Sequence, residues 1–132
     1  MFTRTIQLIG EDNLQKLKSA RVAVFGIGGV GGYVVEMLAR VGVGALDLVD
    51  SDRVSVSNIN RQIIALRSTV GEYKTQVAAA RVRDINPDCK VQTHEVFFLP
   101  ENADVWDFSC YDYVVDAVDT VSAKIALIQK AK

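Results

Sequence analysis

The sequence predicts an α/β domain of the Rossmann-like, doubly wound type, a mainly parallel sheet with helices on both faces. Three observations predict it. Short strand-like segments, apolar at residues 22–25 and 45–49, imperfectly alternating at 90–97 and mixed at 111–118, alternate with helical periodicity over residues 30–41 and 72–86, the pattern of a parallel α/β sheet. The first run breaks into Gly26, Gly28, Gly29, Gly31 and Gly32 and turns helical at once. The second run ends in Asp50, about 20 residues beyond the glycine turn, where dinucleotide-binding folds carry an acid.

Taken in order, residues 1–10 mix Phe2, Ile6, Leu8 and Ile9 with Arg4 and read as a short packing arm. Asp12 caps a helix running to about Ser19, with Gln15 in the capping-box position and Leu14 and Leu17 inward. After the first strand, Gly26 permits a sharp turn. Gly28 permits the backbone to touch a phosphate, and Gly31 lets the helix lie close on the strand. Val30, Val34, Met37, Leu38 and Val41 recur at the spacing of one helical face. Residues 51–62 are polar and aperiodic and follow a strand's C-terminal end, the edge where such sheets bind ligands.

Gly71 precedes a long helix with Tyr73, Val77 and Ala80 on its inner face, ended by Asn86-Pro87. Lys74 falls in its first turn, against the helix dipole. The third strand carries His94, the only histidine, read as structural because no acid or cysteine partner stands at telling spacing. Pro100 opens a helical turn, Trp106 and Phe108 cover the sheet edge, and the fourth strand ends at Asp119. Thr120 caps a last helix with Val121, Ile125 and Ile128 on one face. The expected strand order is 3-2-1-4, which gathers the glycine turn, Asp50, residues 58–62 and Asp119 along one edge.

The 132 residues are enough for one domain, 49% hydrophobic and 23% charged with a net charge of −1. That balance gives no global electrostatic case for nucleic-acid binding, though a local patch remains open. Cys89 and Cys110 stand alone, which argues against a zinc site and for a reducing compartment; Cys110, just before a strand, is expected in the core. No apolar stretch reaches the ~18 residues of a membrane span, and no signal core opens the chain, so a cytoplasmic protein is expected.

A nucleotide with its ribose at Asp50 and its phosphates over the glycine turn makes Arg61 and Lys74 candidate phosphate ligands, one a bidentate fork and the other a point charge. Asp119, at a strand end, is a candidate Mg²⁺ ligand. Arg61, Lys74 and Asp119 then form a catalytic set suited to a triphosphate losing pyrophosphate. Hydride transfer from a dinucleotide needs no such set.

The residues carry a resemblance. Residues 26–32, Asp50-Ser51-Asp52 with Val54, Ser57-Asn58-Ile59-Asn60-Arg61-Gln62, Gly71, Lys74 and Val115-Asp116-Ala117-Val118-Asp119 resemble the ThiF/MoeB/HesA superfamily, adenylating enzymes related to ubiquitin-activating enzymes. Nearly the whole chain is covered. The wording at residues 58–62, at Asp116-Ala117-Val118-Asp119-Thr120 and at Arg4-Thr5 through Leu8-Ile9-Gly10 is most similar to the tRNA threonylcarbamoyladenosine dehydratase branch.

The resemblance implies activation of a carboxylate by ATP and Mg²⁺ as an acyl-adenylate. In the dehydratase branch that carboxylate is a threonylcarbamoyl group on a tRNA adenosine, closed into a ring with net loss of water. In the sulfur-carrier branch it is the C-terminus of a ubiquitin-like protein. By position, the resemblance implies that Asp50 binds ribose, that Asn58, Arg61 and Lys74 hold phosphates, and that Asp119 holds Mg²⁺. It puts Asp52 and Gln62 behind these ligands, around the cradle of Gly26, Gly28, Gly29 and Gly31. Arg4 matches an arginine that reaches into a partner subunit's site, which implies a homodimer.

Superfamily members are longer than 132 residues, so residues 1–132 are expected to be the ATP-binding adenylation domain of a longer protein. Two readings of other kinds share the fingerprint: an NAD-dependent oxidoreductase, with no role for Arg61 or Lys74, and a nucleotide-binding module without turnover.

Overall fold

The computed structural model describes residues 11–96 and 108–117. Four parallel strands form one sheet in the order β3-β2-β1-β4: β1 (Arg21–Phe25), β2 (Ala45–Val49), β3 (Lys90–His94) and β4 (Tyr113–Asp116). This is the expected order. The last residues of all four strands stand in one row, His94 beside Val49, Val49 beside Phe25 and Phe25 beside Asp116. The backbone pairing continues one step past that row. Gly26 N–H donates to Val49 O at 2.9 Å, Asp50 N–H to His94 O at 3.1 Å and Ala117 N–H to Phe25 O at 2.8 Å. The sheet therefore ends evenly, and the residues that follow emerge side by side.

Three helices are described: α1 (Glu11–Ser19), α2 (Gly29–Val41) and α3 (Lys74–Ile85). α1 starts at Glu11, so Asp12 lies inside it rather than capping it. Alternation along β1 and β2 sends Val22, Val24, Leu46 and Leu48 to one face, where they form a core with Val35, Ala39, Val77, Ala78, Ala79 and Val82 of α2 and α3. The opposite face, with Ala23, Phe25, Asp47 and Val49, is buried as well. The near-continuous apolar runs of β1 and β2, broken in β2 by Asp47, follow from burial on both sides. The turn expected at Pro100, the position of Trp106, the helix after Thr120 and, with it, helices on the second face lie outside the described residues.

The helix faces differ from the sequence reading. α2 buries Gly31, Gly32, Val35 and Ala39, while Val30 and Met37 are exposed. The inner face is the one that carries the glycines, because only there can the helix axis approach the sheet. α3 begins at Lys74, after an extended Tyr73, and buries Lys74, Thr75, Val77, Ala78, Ala79 and Val82; Ala80 is exposed. Its alanines allow a close approach to β2 and β3. A carboxylate bridge joins the two helices. Glu36 accepts from Arg40 at 2.8 Å and from Arg81 at 2.7 Å. Burial pushes the Glu36 carboxyl up, but these two guanidinium hydrogen bonds outweigh it and hold the group below its ordinary range.

Candidate nucleotide site

The site is built on the even C-terminal edge of the sheet. Gly26 follows β1 with φ 94°, a left-handed conformation that a side chain would strain. The chain reverses there and enters α2 at Gly29. A Cβ on Gly31 would overlap the carbonyl of Gly26, so α2 meets the turn at backbone contact. A Cβ on Gly28 would meet, among the described residues, only the Gln62 amide, at 3.6 Å. The turn thus presents bare backbone at the start of a 13-residue helix, whose first N–H groups have no partners within the helix. The turn at Gly26 and the close approach at Gly31 are as expected from the sequence, and Gly28 leaves its backbone uncovered by a side chain of its own.

Asp50 fastens this turn to the next loop. Its Oδ2 accepts from Ile27 N–H at 2.7 Å and its Oδ1 from Asp52 N–H at 2.8 Å. Each carboxylate oxygen keeps a second lone pair, so two acceptors remain for a vicinal diol.

Residues 51–73 leave the edge, fold on themselves and return to start α3. Val54 N–H donates to Glu72 O at 2.8 Å, Gly71 N–H to Val54 O at 2.9 Å and Lys74 N–H to Asp52 O at 3.0 Å. Arg53 clamps the closure, stacked 4.3 Å from the Tyr73 ring centroid and donating to Gly71 O at 2.9 Å. Inside the loop, Asn58 heads a tight turn. Its Oδ1 accepts from Ser55 N–H at 2.9 Å and Ser55 Oγ at 3.0 Å, which leaves its NH₂ group as the donor. Asn58 is buried and structural in this loop.

The stretch 61–64 then runs beside the start of α2. Arg61 O lies 4.0 Å from a Cβ on Gly29, and Ile63 lies 3.3 Å from one on Gly32. The Arg61 guanidinium is exposed and donates to Ser57 O at 2.8 Å and Asn60 Oδ1 at 3.2 Å. It rests on its own loop rather than over the glycine turn, so reaching a phosphate there requires a rotamer change. Gln62 is buried above Gly28.

Lys74 is buried, only 6% exposed, in the first turn of α3. Among the described residues its one ion pair is with Asp52 at 4.0 Å, and the Asp52 side chain is 66% exposed. A solvated lysine, the ordinary reading of such a residue, is thereby excluded. An ammonium held at a helix N-terminus, against the dipole and with one loose carboxylate, stands ready for a further anion.

Of the sequence-predicted residues, the structure gathers Gly26, Gly28, Gly29, Gly31, Asp50, Asp52, Gln62 and Lys74 at one edge, with Asn58 and Arg61 on the flanking loop. Arg4 and Asp119 lie outside the described residues. No cluster of three or more His, Cys, Asp or Glu side chains suited to a metal is found among the described residues. Cys110 is exposed, contrary to expectation, because it ends a short turn (Phe108–Cys110) ahead of β4. Cys89 is buried, which pushes its thiol up to about 11.

Two polar clusters are not evident from spacing. Asp47, 2% exposed, accepts from Arg21 Nε at 3.1 Å and Nη2 at 3.0 Å and from Tyr111 Oη at 3.0 Å, and lies 3.2 Å from His94 Nε2. Burial pushes its carboxyl up, but these hydrogen bonds outweigh burial and hold it low. His94 thus has an acid partner after all, brought to it across β2 and β3. Glu95 accepts from Thr75 Oγ1 at 2.9 Å and Gln76 Nε2 at 2.7 Å, tying the end of β3 to the start of α3. The one available signal was Asp47 itself, an acid inside the apolar run Ala45–Val49.

The chain is similar to several proteins of known name. A curated relative, the tRNA threonylcarbamoyladenosine dehydratase of Haemophilus influenzae, is 47% identical over 126 residues, 96% of this chain and 48% of that protein. A crystal structure of the Escherichia coli tRNA N6-threonylcarbamoyladenosine dehydratase in complex with ATP superposes with a TM-score of 0.93 at 48% identity, covering 96% of this chain and 52% of that one. A sulfur carrier protein adenylyltransferase of Thermus thermophilus is 40% identical over 111 residues, 84% of this chain and 41% of that protein. The chain spans about half the length of the curated dehydratases it matches. The profile of the ThiF family matches residues 2–132, and the chain belongs to that family.

Proposed function

We propose that residues 1–132 are the ATP-binding adenylation domain of an enzyme that activates a carboxylate as an acyl-adenylate. We propose as its substrate the threonylcarbamoyl group on a tRNA adenosine, cyclised with loss of water. The observation that carries the nucleotide reading is Lys74: a buried ammonium, across the Asp50–Asp52 segment from a bare helix N-terminus. A triphosphate lying from Asp50 over Gly28 toward Lys74 supplies the missing anion. In this reading the ribose diol binds Asp50, and Arg61, Asn58 and Lys74 bind the outer phosphates. Asp119 holds Mg²⁺, which neutralises charge on the phosphates.

The tRNA substrate is supported by the high identity to the dehydratases. The 40% identity to a sulfur carrier protein adenylyltransferase supports a second reading, in which a ubiquitin-like protein is the acceptor. Arg4 is proposed to reach the site of a second copy in a homodimer. No described helix is long and apolar enough to cross a membrane, and a cytoplasmic site of action accords with a tRNA substrate.

Calorimetric titration with ATP·Mg²⁺ and, separately, with NAD tests the nucleotide reading. Binding of ATP·Mg²⁺ and not of NAD is expected; binding of NAD alone would favour the oxidoreductase. The acceptor is then tested with the full-length enzyme, comparing AMP release with threonylcarbamoylated tRNA against a small protein ending in Gly-Gly.

A further inference from the structure

Gln62 lies beside the glycine turn. Its side chain is nine-tenths buried, 8% exposed, yet its Oε1 has no hydrogen-bond partner. Buried amide groups are seldom left so. The other end of the same amide, Nε2, stands over Gly28, 3.6 Å from the point where a Cβ would sit. The backbone around it is fixed: Gln62 N–H donates to Asn58 O at 2.9 Å and Gln62 O accepts from Ala65 N–H at 3.0 Å. The carboxamide is therefore held over the helix N-terminus, with Oε1 unpartnered and Nε2 facing Gly28.

Position decides which part of a ligand it meets. Asp50 Oδ2 is bonded to Ile27 N–H, and Gly28 is the next residue. A group over Gly28 is thus one residue from the ribose acceptor. Lys74 lies on the other side, beyond Asp52. A 5′-nucleotide offers what an open carboxamide lacks, a phosphate oxygen that accepts and a ribose hydroxyl that donates.

We propose that Gln62 binds the nucleoside 5′-phosphate half of the nucleotide directly, at the α-phosphate, and so is a further substrate-positioning residue of the site. The proposal rests on the nucleotide reading above and deepens it. In adenylation a carboxylate oxygen bonds to the α-phosphorus, the bond to the bridging oxygen breaks, and pyrophosphate leaves with that electron pair. Arg61 and Lys74 then hold the part that departs. Gln62 holds the part that stays with the acyl group, before and after the transfer.

The test is calorimetric titration of wild type, Gln62→Met and Gln62→Glu with ATP, AMP and adenosine, each variant first compared with wild type by thermal unfolding. Gln62→Met keeps the length and loses the amide; it is expected to weaken AMP and ATP each by about tenfold and adenosine by less than twofold. Gln62→Glu is expected to weaken both phosphates further through charge repulsion. Lys74→Ala, run beside them, is expected to weaken ATP and spare AMP. AMP affinity within twofold of wild type in Gln62→Met would overturn the proposal, as would an equal loss for adenosine. A wild-type chain that binds none of the three ligands would overturn the nucleotide reading itself, a result distinct from either.

Discussion

Replacing Asp47 by asparagine keeps the shape of the side chain and removes the charge that Arg21, His94 and Tyr111 share. The loss is expected to be about 2 kcal/mol at neutral pH, below the range for fully buried pairs because Arg21 keeps partial contact with water. Asp47 sits below its ordinary pKa in the folded state. Its contribution is therefore complete above the unfolded carboxylate range and lost as pH falls through and below about 4. Denaturant titrations of wild type and Asp47→Asn should converge across that window, and a constant difference from pH 7 to pH 3 would contradict the assignment.

At the ligand edge, Arg61→Ala and Lys74→Ala are each expected to weaken ATP about tenfold and AMP little, or about 1.4 kcal/mol of outer-phosphate contact. Equal losses for both nucleotides would count against those roles. Asp50, the glycines and Lys74 were legible because each belongs to a short local pattern: strand end, turn, helix start. The Asp47 cluster was not. Asp47 pairs with Gln92 across β2 and β3, and its contact with His94 exists only once that register forms. Cys110 was misread for a related reason, since a short turn before a strand leaves no periodic trace.

For the strand–turn–helix element, two glycine substitutions should separate folding from binding. Gly31→Ala drives a methyl into the Gly26 carbonyl and should unfold or strongly destabilise the domain, by about 3 kcal/mol or more. Gly28→Ala has room beside Gln62 and should leave the melting temperature nearly unchanged while weakening ATP and AMP, because the methyl stands where a phosphate would rest. Thermal melts with nucleotide titrations check both; a Gly28→Ala variant that binds as wild type would place the phosphates elsewhere. Helix existence was legible from apolar spacing, but helix orientation was not. In α2 the buried face is made of Gly31, Gly32, Val35 and Ala39, and a hydrophobicity pattern ranks its two glycines below the exposed Val30 and Met37. Close packing there selects small volume, not apolar weight.

Across the whole molecule, the strand order followed from one general rule, that nucleotide-binding sheets of this kind reverse direction at the strand carrying the glycine turn. Because that order gathers loops from three strands at one edge, occupancy should stabilise the entire domain. At a free ATP concentration a hundred times its dissociation constant, linkage adds about 2.7 kcal/mol, and for a chain of this length the melting temperature should rise by about 10 °C. A rise with ATP and AMP and none with NAD is expected in a thermal-shift series.

The Asp50 carboxylate has a kinetic consequence. By joining Ile27 and Asp52 through their backbone N–H groups, it orders two loops during folding, so that little ordering entropy is left to be lost at encounter. Only side-chain rotations such as that of Arg61 remain, and these run on picosecond to nanosecond scales. Stopped-flow mixing with a fluorescent ATP analogue should therefore give a single exponential, with a rate that climbs linearly with nucleotide concentration and shows no plateau from a slow loop closure.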